Sequence, residues 1–320
     1  MPEFITGAVY PNISGWKCTD VLSVIRQIRQ TGSPPSGARL ALLIEGGALR
    51  GVVSWGYAMA LSRIISDREF DFIYGASSGG LNGIYLASHS MDLAYQVYVE
   101  NATDPRCASI WNFPNVLNVD WLVDNWMFGP RQFDINTLRA SQSKIAIVLT
   151  RLIDGLPFFF DVNHASLEDL RKAMKATSYA PLLTEKHQTI DGVDYGDGAI
   201  GETFPYREVV RQGATHIICL TTRTKEYRKQ IAGLEKMFHR LRLVTHTKQY
   251  MTAYFERPAK YNASMDLMYN GGAGAVPTMV LHPALESEIP RSVETRKNEI
   301  ARLGSFADEM ATSQLLAALS

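Results

Sequence analysis

The run Gly75-Ala76-Ser77-Ser78-Gly79 sets a serine between two stretches of different character. Before it lies a short β-prone run, Phe70-Asp71-Phe72-Ile73-Tyr74. After it, Gly80-Leu81-Asn82-Gly83-Ile84-Tyr85-Leu86-Ala87 reads as the start of a helix. A serine on a sharp strand-to-helix turn exposes its Oγ at the edge of a sheet, the arrangement of a nucleophile elbow. Gly75 and Gly79 suit that turn because it is strained and admits no side chain that crowds the hydroxyl. The helix start adds N–H groups that favour a nearby developing negative charge. The competing reading is a plain strand–helix turn built of small residues.

A second unit of the same kind lies upstream. Leu40-Ala41-Leu42-Leu43-Ile44 fits a fully buried strand. It runs into Glu45-Gly46-Gly47-Ala48-Leu49-Arg50-Gly51 and then a helix-compatible stretch from Val52 to Leu61. Adjacent strand–helix units of this length predict parallel neighbours with right-handed crossovers. Both glycine loops then emerge at the carboxyl edge of one sheet, where ligands bind in open α/β folds. Bare N–H groups beside a nucleophilic serine are what an oxyanion hole requires. A phosphate-binding loop is the alternative, but neither G-K-[ST] nor G-x-G-x-x-G is present.

The serine needs a base. Asp197, in Tyr195-Gly196-Asp197-Gly198-Ala199, follows a β-like stretch over 187–193 and sits among small residues. Taken alone, an Asp-Gly turn explains it better. A Ser–Asp–His triad would draw on a later histidine. His282, at the end of an expected strand, is the best of these. His216 reads as a packed strand-interior residue, and His239 and His246 as surface residues of a basic helical region. His89, His164 and His187 show no pairing suited to a metal, and neither H-E-x-x-H nor a Cys cluster occurs, so no metal is expected. Ser141-Gln142-Ser143-Lys144 matches S-x-x-K but lacks the companion motifs, and is read as chance.

At 320 residues, 46% hydrophobic and 20% charged, the chain can bury one large core or one core with an appendage. Its formal net charge of zero gives no pull toward nucleic acid. Cys18, Cys107 and Cys219 are too widely spaced for a disulfide framework and fit a reducing compartment. Residues 1–20 show no secretory signal, and no window is apolar enough to span a membrane, so a cytoplasmic location is expected, with peripheral membrane contact left open. Helices are expected at about 20–30, 51–66, 78–87, 91–101 and 166–176, the last opened by the capping box Ser166-Leu167-Glu168-Asp169. Strands are expected near 145–150, 158–162, 215–220 and 278–282. Gly271-Gly272-Ala273-Gly274 reads as a turn. Residues 110–133 read as an aperiodic excursion rich in aromatics (Trp111, Phe113, Trp121, Trp126, Phe128 and Phe133), fit to wall an acyl-chain tunnel, to form a flap that dips into lipid, or simply to pack. Residues 223–248 are basic, through Arg223, Lys225, Arg228, Lys229, Lys236, Arg240, Arg242 and Lys248, and read as a solvated helix face in preference to a membrane-attracting patch.

Together these pieces resemble one family, the bacterial patatin-like phospholipases. Glu45-Gly-Gly-Ala-Leu-Arg-Gly resembles their oxyanion loop, Gly75-Ala-Ser-Ser-Gly their serine elbow, and Asp197-Gly-Ala their catalytic D-G-[AG]. Ala176-Thr177-Ser178-Tyr179-Ala180-Pro181 is similar to the segment that precedes the aspartate. The resemblance covers about residues 38–220 and, more weakly, the remainder. It implies a three-layer α/β/α fold with a mostly parallel sheet and a largely helical C-terminal extension. The expected divisions are an N-terminal arm and helix (1–37), a catalytic domain (38–222) and the extension packed on it (223–320). It further implies a Ser77–Asp197 dyad, an oxyanion hole from the N–H groups of Gly46, Gly47 and Ala48, and an acyl-enzyme, with no cofactor. The expected substrate is a phospholipid, lysophospholipid or related ester. Arg50, Gly75 and Gly79 would be supporting residues, Arg50 through a salt bridge that packs the loop or through a lipid phosphate. Ala48 departs from the family's third glycine, and alanine resists positive φ, so the loop is expected to be re-aimed there. A lipid-binding protein that keeps the fold without the chemistry is the alternative from another class.

Overall fold

Leu40, Leu42 and Ile44 pack into one apolar cluster and Ala41 and Leu43 into another, all five buried. A strand covered on both faces needs such a continuous apolar run, because no side chain in it meets water. This strand is β2 (Leu40–Ile44) of a computed structural model that describes residues 10–109, 111, 116–181, 183–184, 186–231, 233 and 246–320. The others are β1 (Ile13–Ser14), β3 (Phe72–Ala76), β4 (Lys144–Arg151), β5 (Pro157–Asp161), β6 (Gln188–Ile190), β7 (Val193–Asp197), β8 (His216–Leu220) and β9 (Thr278–Leu281). Among the described residues they form one sheet of order β1-β9-β8-β2-β3-β4-β7-β6, with β5 also on β4. The central five, β9-β8-β2-β3-β4, are parallel.

One face of the sheet is covered by the helices Cys18–Thr31, Gly51–Ser62, Ser78–Ala87, Leu167–Ser178 and Lys297–Leu319. The other carries Tyr206–Arg211 and Lys248–Asn270, through Tyr206, Val209, Tyr261, Met265 and Met268. The result is a three-layer α/β/α architecture with a helical C-terminal region. One sheet draws β1 from the stretch before residue 38 and β9 from the stretch after residue 222, so strands from all three stretches share its two cores. Among the described residues, no helix is long and apolar enough to cross a membrane.

Several local expectations are corrected. Residues 119–127 are helical, Val119–Leu122 passing into a π-wound turn, Val123–Met127, capped by Asn118, whose side chain accepts the Trp121 N–H at 3.1 Å. The helix expected over 91–101 is α-helical to Gln96 and π-wound over Val97–Ala102. The Asp-Gly turn of this region is Asp191-Gly192, with φ of 49° and 77°, and Asp197 instead ends β7 and caps the short helix Gly198–Gly201. Residues 223–231 are not helical. His216 opens β8 and is half-buried, where a strand-interior position was expected. Phe113, Lys236, His239, Arg240 and Arg242 lie outside the described residues.

Candidate active site

The elbow is built by close backbone packing. A Cβ on Gly75 would lie 2.5 Å from Gly79 C, and one on Gly79 would lie 2.1 Å from Ile44 O. Neither position has room for a side chain, so the chain folds sharply back on itself and places Ser77 at the turn. Ser77 has φ 54° and ψ −137°, a conformation that an L-residue adopts only where its surroundings force it. Gly46 packs on the same turn, since its Cβ would fall 2.9 Å from Ser77 Cβ and 3.0 Å from Ser78 N. The two glycine loops therefore meet at the serine.

Hydrogen bonds fix this contact from behind. Gly47 N–H donates to Ser78 Oγ at 3.0 Å, and Tyr98 Oη donates to Asn82 Oδ1 at 3.1 Å. Asn82 Nδ2 in turn donates to Gly51 O at 2.9 Å. Ala48 takes φ 53°, the left-handed region, so the alanine accepts the strain that glycine would avoid. Arg50 donates to Ser292 Oγ, where a salt bridge was the favoured expectation, and its Nε is buried without a partner among the described residues. Burial, and then the nearby Arg223, hold its guanidinium below the ordinary range, with Glu45 opposing.

The register of β4 brings the aspartate to the serine. On one edge, β4 pairs with β5 over Ala146–Thr150. On the other it pairs first with β3, where Ala76 faces Val148, and then with β7, where Asp197 faces Leu149. β3 and β7 thus end head to head on one edge of β4, and Ala76 and Asp197 occupy consecutive levels, about 3.3 Å apart along the strand. Thr177 closes the seam: Ser77 N–H donates to its Oγ1 at 2.8 Å, and that hydroxyl donates to Val148 O at 2.7 Å. Asp197 is 4% exposed. Burial pushes its carboxyl above the ordinary range, while the Ala199 N–H, 3.0 Å from Oδ1, and the charges of Arg257 and Lys229 pull it back.

Ser77, Asp197, Gly46, Gly47, Ala48 and Arg50 all line one cavity. Its apolar end is walled by Leu81, Tyr85, Val97, Leu117, Val123 and Met127. Val119, Val123 and Met127 recur every four residues, and the wider winding of a π turn keeps such positions on one face. Among its described residues, the 110–133 segment does wall the cavity, but with aliphatic side chains. Trp111 is 89% exposed, Trp121 packs edge-on against Trp126 at 5.9 Å, and Phe133 packs with Phe128 and Tyr85.

Residues 42–210, more than half of the chain, match the model of the patatin-like phospholipase family. The chain belongs to this family. The uncharacterised protein YjjU of Escherichia coli (strain K12) is 26% identical over 194 residues, which are 59% of this chain and 53% of that protein. This patatin-like chain therefore spans about half the length of the curated relative it matches. A structural likeness to VipD from Legionella pneumophila covers 89% of this chain and 68% of that one, with a TM-score of 0.45 and 12% identity.

In this patatin-like chain the rival histidine lies elsewhere. His282 follows β9, three strands from β3 and so about 14 Å away at normal strand spacing. Its Nε2 is 2.8 Å from Ser14 Oγ and its Nδ1 3.0 Å from Pro283 O. Two cavity residues escaped the sequence reading: Lys229 and Arg257 face the same cavity as Asp197. Lys229 was read as part of a solvated face, and Arg257 carries no motif at all.

Proposed function

We propose that this chain is a serine lipid acyl hydrolase of the phospholipase A, lysophospholipase or esterase type, acting through a Ser77–Asp197 dyad. Ser77 Oγ attacks the ester carbonyl while the Asp197 carboxylate takes its proton. The N–H groups of Gly46, Gly47 and Ala48 receive the oxyanion, with Ser78 Oγ yielding the Gly47 N–H to it. Collapse expels the alcohol, which takes the proton back from Asp197 and leaves an acyl-enzyme on Ser77. Water then attacks that ester, Asp197 accepts the water proton, and the free acid departs as Ser77 regains its hydrogen.

The observation that carries this reading is the shared edge of β4, where the ends of β3 and β7 meet. The raised Asp197 pKa supports it too, because a buried carboxylate is a stronger base than an exposed one. The apolar cavity wall suits an acyl chain. The test is release of fatty acid from mixed phospholipid vesicles and of alcohol from a short aryl ester, comparing wild type with Ser77→Ala and Asp197→Asn. Both variants are expected to lose turnover of both substrates, and fluorophosphonate labelling is expected to vanish in Ser77→Ala. A folded wild-type protein that turns over neither ester and resists labelling would favour the binding-protein alternative.

A further inference from the structure

The cavity is not electrically neutral. Arg50, Lys229 and Arg257 line it against Asp197 and Glu45, and Glu45 Oε2 already accepts the Thr222 N–H at 2.6 Å. Lys229 and Arg257 both come from beyond residue 222 and are held in place by their own neighbours. Asn262 on the Lys248–Asn270 helix clamps the Lys229 backbone at both ends, accepting its N–H at 2.8 Å and donating to its carbonyl at 3.1 Å. The Lys229 ammonium rests 5.0 Å over the Tyr261 ring, and the Arg257 guanidinium 4.5 Å over that of Tyr254. Aromatic faces position a cation but leave its N–H donors unspent. Among the described residues, the Nε of Arg257, like that of Arg50, is buried with no hydrogen-bond partner.

A buried guanidinium donor without an acceptor is costly, and cations crowded in one cavity repel one another. Burial, and then Arg257, push Lys229 down to about 7. An anion in the cavity would satisfy both conditions at once. The apolar wall and the serine already account for the acyl chain and the ester, so the anion belongs on the leaving-group side.

We propose that Lys229 and Arg257 form a phosphate-recognition subsite that sets the specificity of this cavity for esters whose leaving alcohol carries a phosphate. The proposal rests on the hydrolase reading and names its substrate class. Phosphate oxygens would accept from Arg257 Nε and from the Lys229 ammonium, while the ester carbonyl lies at Ser77. Neutral glycerides would occupy the apolar wall equally well and leave both cations unpaired.

The test compares a lysophospholipid with a monoacylglycerol of the same acyl chain, in wild type and in Lys229→Met, Lys229→Arg and Arg257→Met. The ratio of kcat/KM for the phosphate-bearing to the neutral substrate is expected to fall at least about tenfold in the two Met variants, mainly through KM. Lys229→Arg is expected to retain most of it. An unchanged ratio, with both rates falling together or neither falling, overturns the subsite, since cations that act only on Asp197 or on the fold treat the two substrates alike. Binding of a non-hydrolysable ether lysophospholipid to Ser77→Ala, with and without Lys229→Met, tests the subsite even if no turnover is found. Weakening by Lys229→Met supports it, and equal binding overturns it. Inorganic phosphate is the competing probe. Displacement of the ether lipid by lipid headgroups alone assigns the subsite to the headgroup. Equal displacement by inorganic phosphate assigns it to free phosphate and overturns the substrate role.

Discussion

Asp197 is held where ionisation is unfavourable, and two consequences follow at the scale of the residue. The carboxylate must be ionised to accept a proton, and its pKa is raised by burial. kcat/KM is therefore expected to fall as pH drops through that raised value, at higher pH than an exposed aspartate would give. A pH–rate profile checks this, and an acid limb at the ordinary aspartate position would count against Asp197 as the base. For stability the sign is opposite. The fold favours the protonated acid, so this group's contribution is full below the unfolded aspartate pKa and is lost as pH rises through the folded one. Asp197→Asn is expected to melt above wild type at neutral pH while turnover falls about a thousandfold or more. Calorimetry beside the kinetics reads both. Ala48 is the second case. Its φ of 53° is one that glycine holds without strain. Ala48→Gly is expected to change stability by less than about 1 kcal/mol, because the relieved strain is offset by the added freedom of the unfolded chain. A larger loss in denaturant unfolding would mean that packing of the alanine methyl on the core outweighs the strain.

At the scale of elements, the site depends on how strands end. Thr177, at the end of the Leu167–Ser178 helix, supplies the hydroxyl that joins the Ser77 N–H to Val148 O. Thr177→Val keeps the shape but leaves both backbone groups unpaired, and is expected to cost about 1–3 kcal/mol of stability, with kcat falling more than KM rises. Denaturant unfolding and steady-state kinetics measure the two effects. The π-wound turn sets the other end of the cavity. Val123→Trp would fill the apolar end next to Met127, so the ratio of long-chain to short-chain ester hydrolysis is expected to fall. An unchanged ratio over a series of aryl esters would place the acyl chain elsewhere.

The whole molecule closes around the loop that follows β2. The Gly51–Ser62 helix, which continues from that loop, packs on Lys297–Leu319 so closely that a Cβ on Gly56 would lie 2.7 Å from Gly304 O. A Cβ on Gly304 would lie 2.7 Å from Val52 Cγ2. Ser292, just before this last helix, accepts the Leu49 N–H through its carbonyl at 3.1 Å and receives Arg50 on its hydroxyl. The C-terminal stretch thus holds the first glycine loop in place. Gly304→Val is expected to destabilise by about 1–3 kcal/mol through overpacking at this crossing. Removing residues 223–320 would also strip β9 and expose β8, and the remainder is expected not to unfold as one cooperative unit. A sharp melting transition in the truncated chain would show that residues 1–222 fold without the C-terminal stretch.

The amino-acid sequence by itself determined β2, β3 and β8, because an apolar run buried on both faces has few other places to go. It also determined the two glycine loops, whose small residues are demanded by the fold-back of Gly75 on Gly79 and by the close meeting of the two loops. Ser77 was legible for that reason. Asp197 was less so: alone it resembles a turn, and its place beside Ser77 follows from the register of β7 on β4, a pairing between segments about fifty residues apart. His282 was the best histidine for a rival triad until the sheet order set it three strands from the serine. The aliphatic wall of 117–127 was hidden by π winding, whose period matches neither a helix nor a strand template. Lys229 and Arg257 were invisible, because a lysine in a basic stretch reads as solvated until its backbone is clamped inward. Local geometry is written in neighbouring residues, whereas the direction in which a distant side chain faces is decided only when the layers pack.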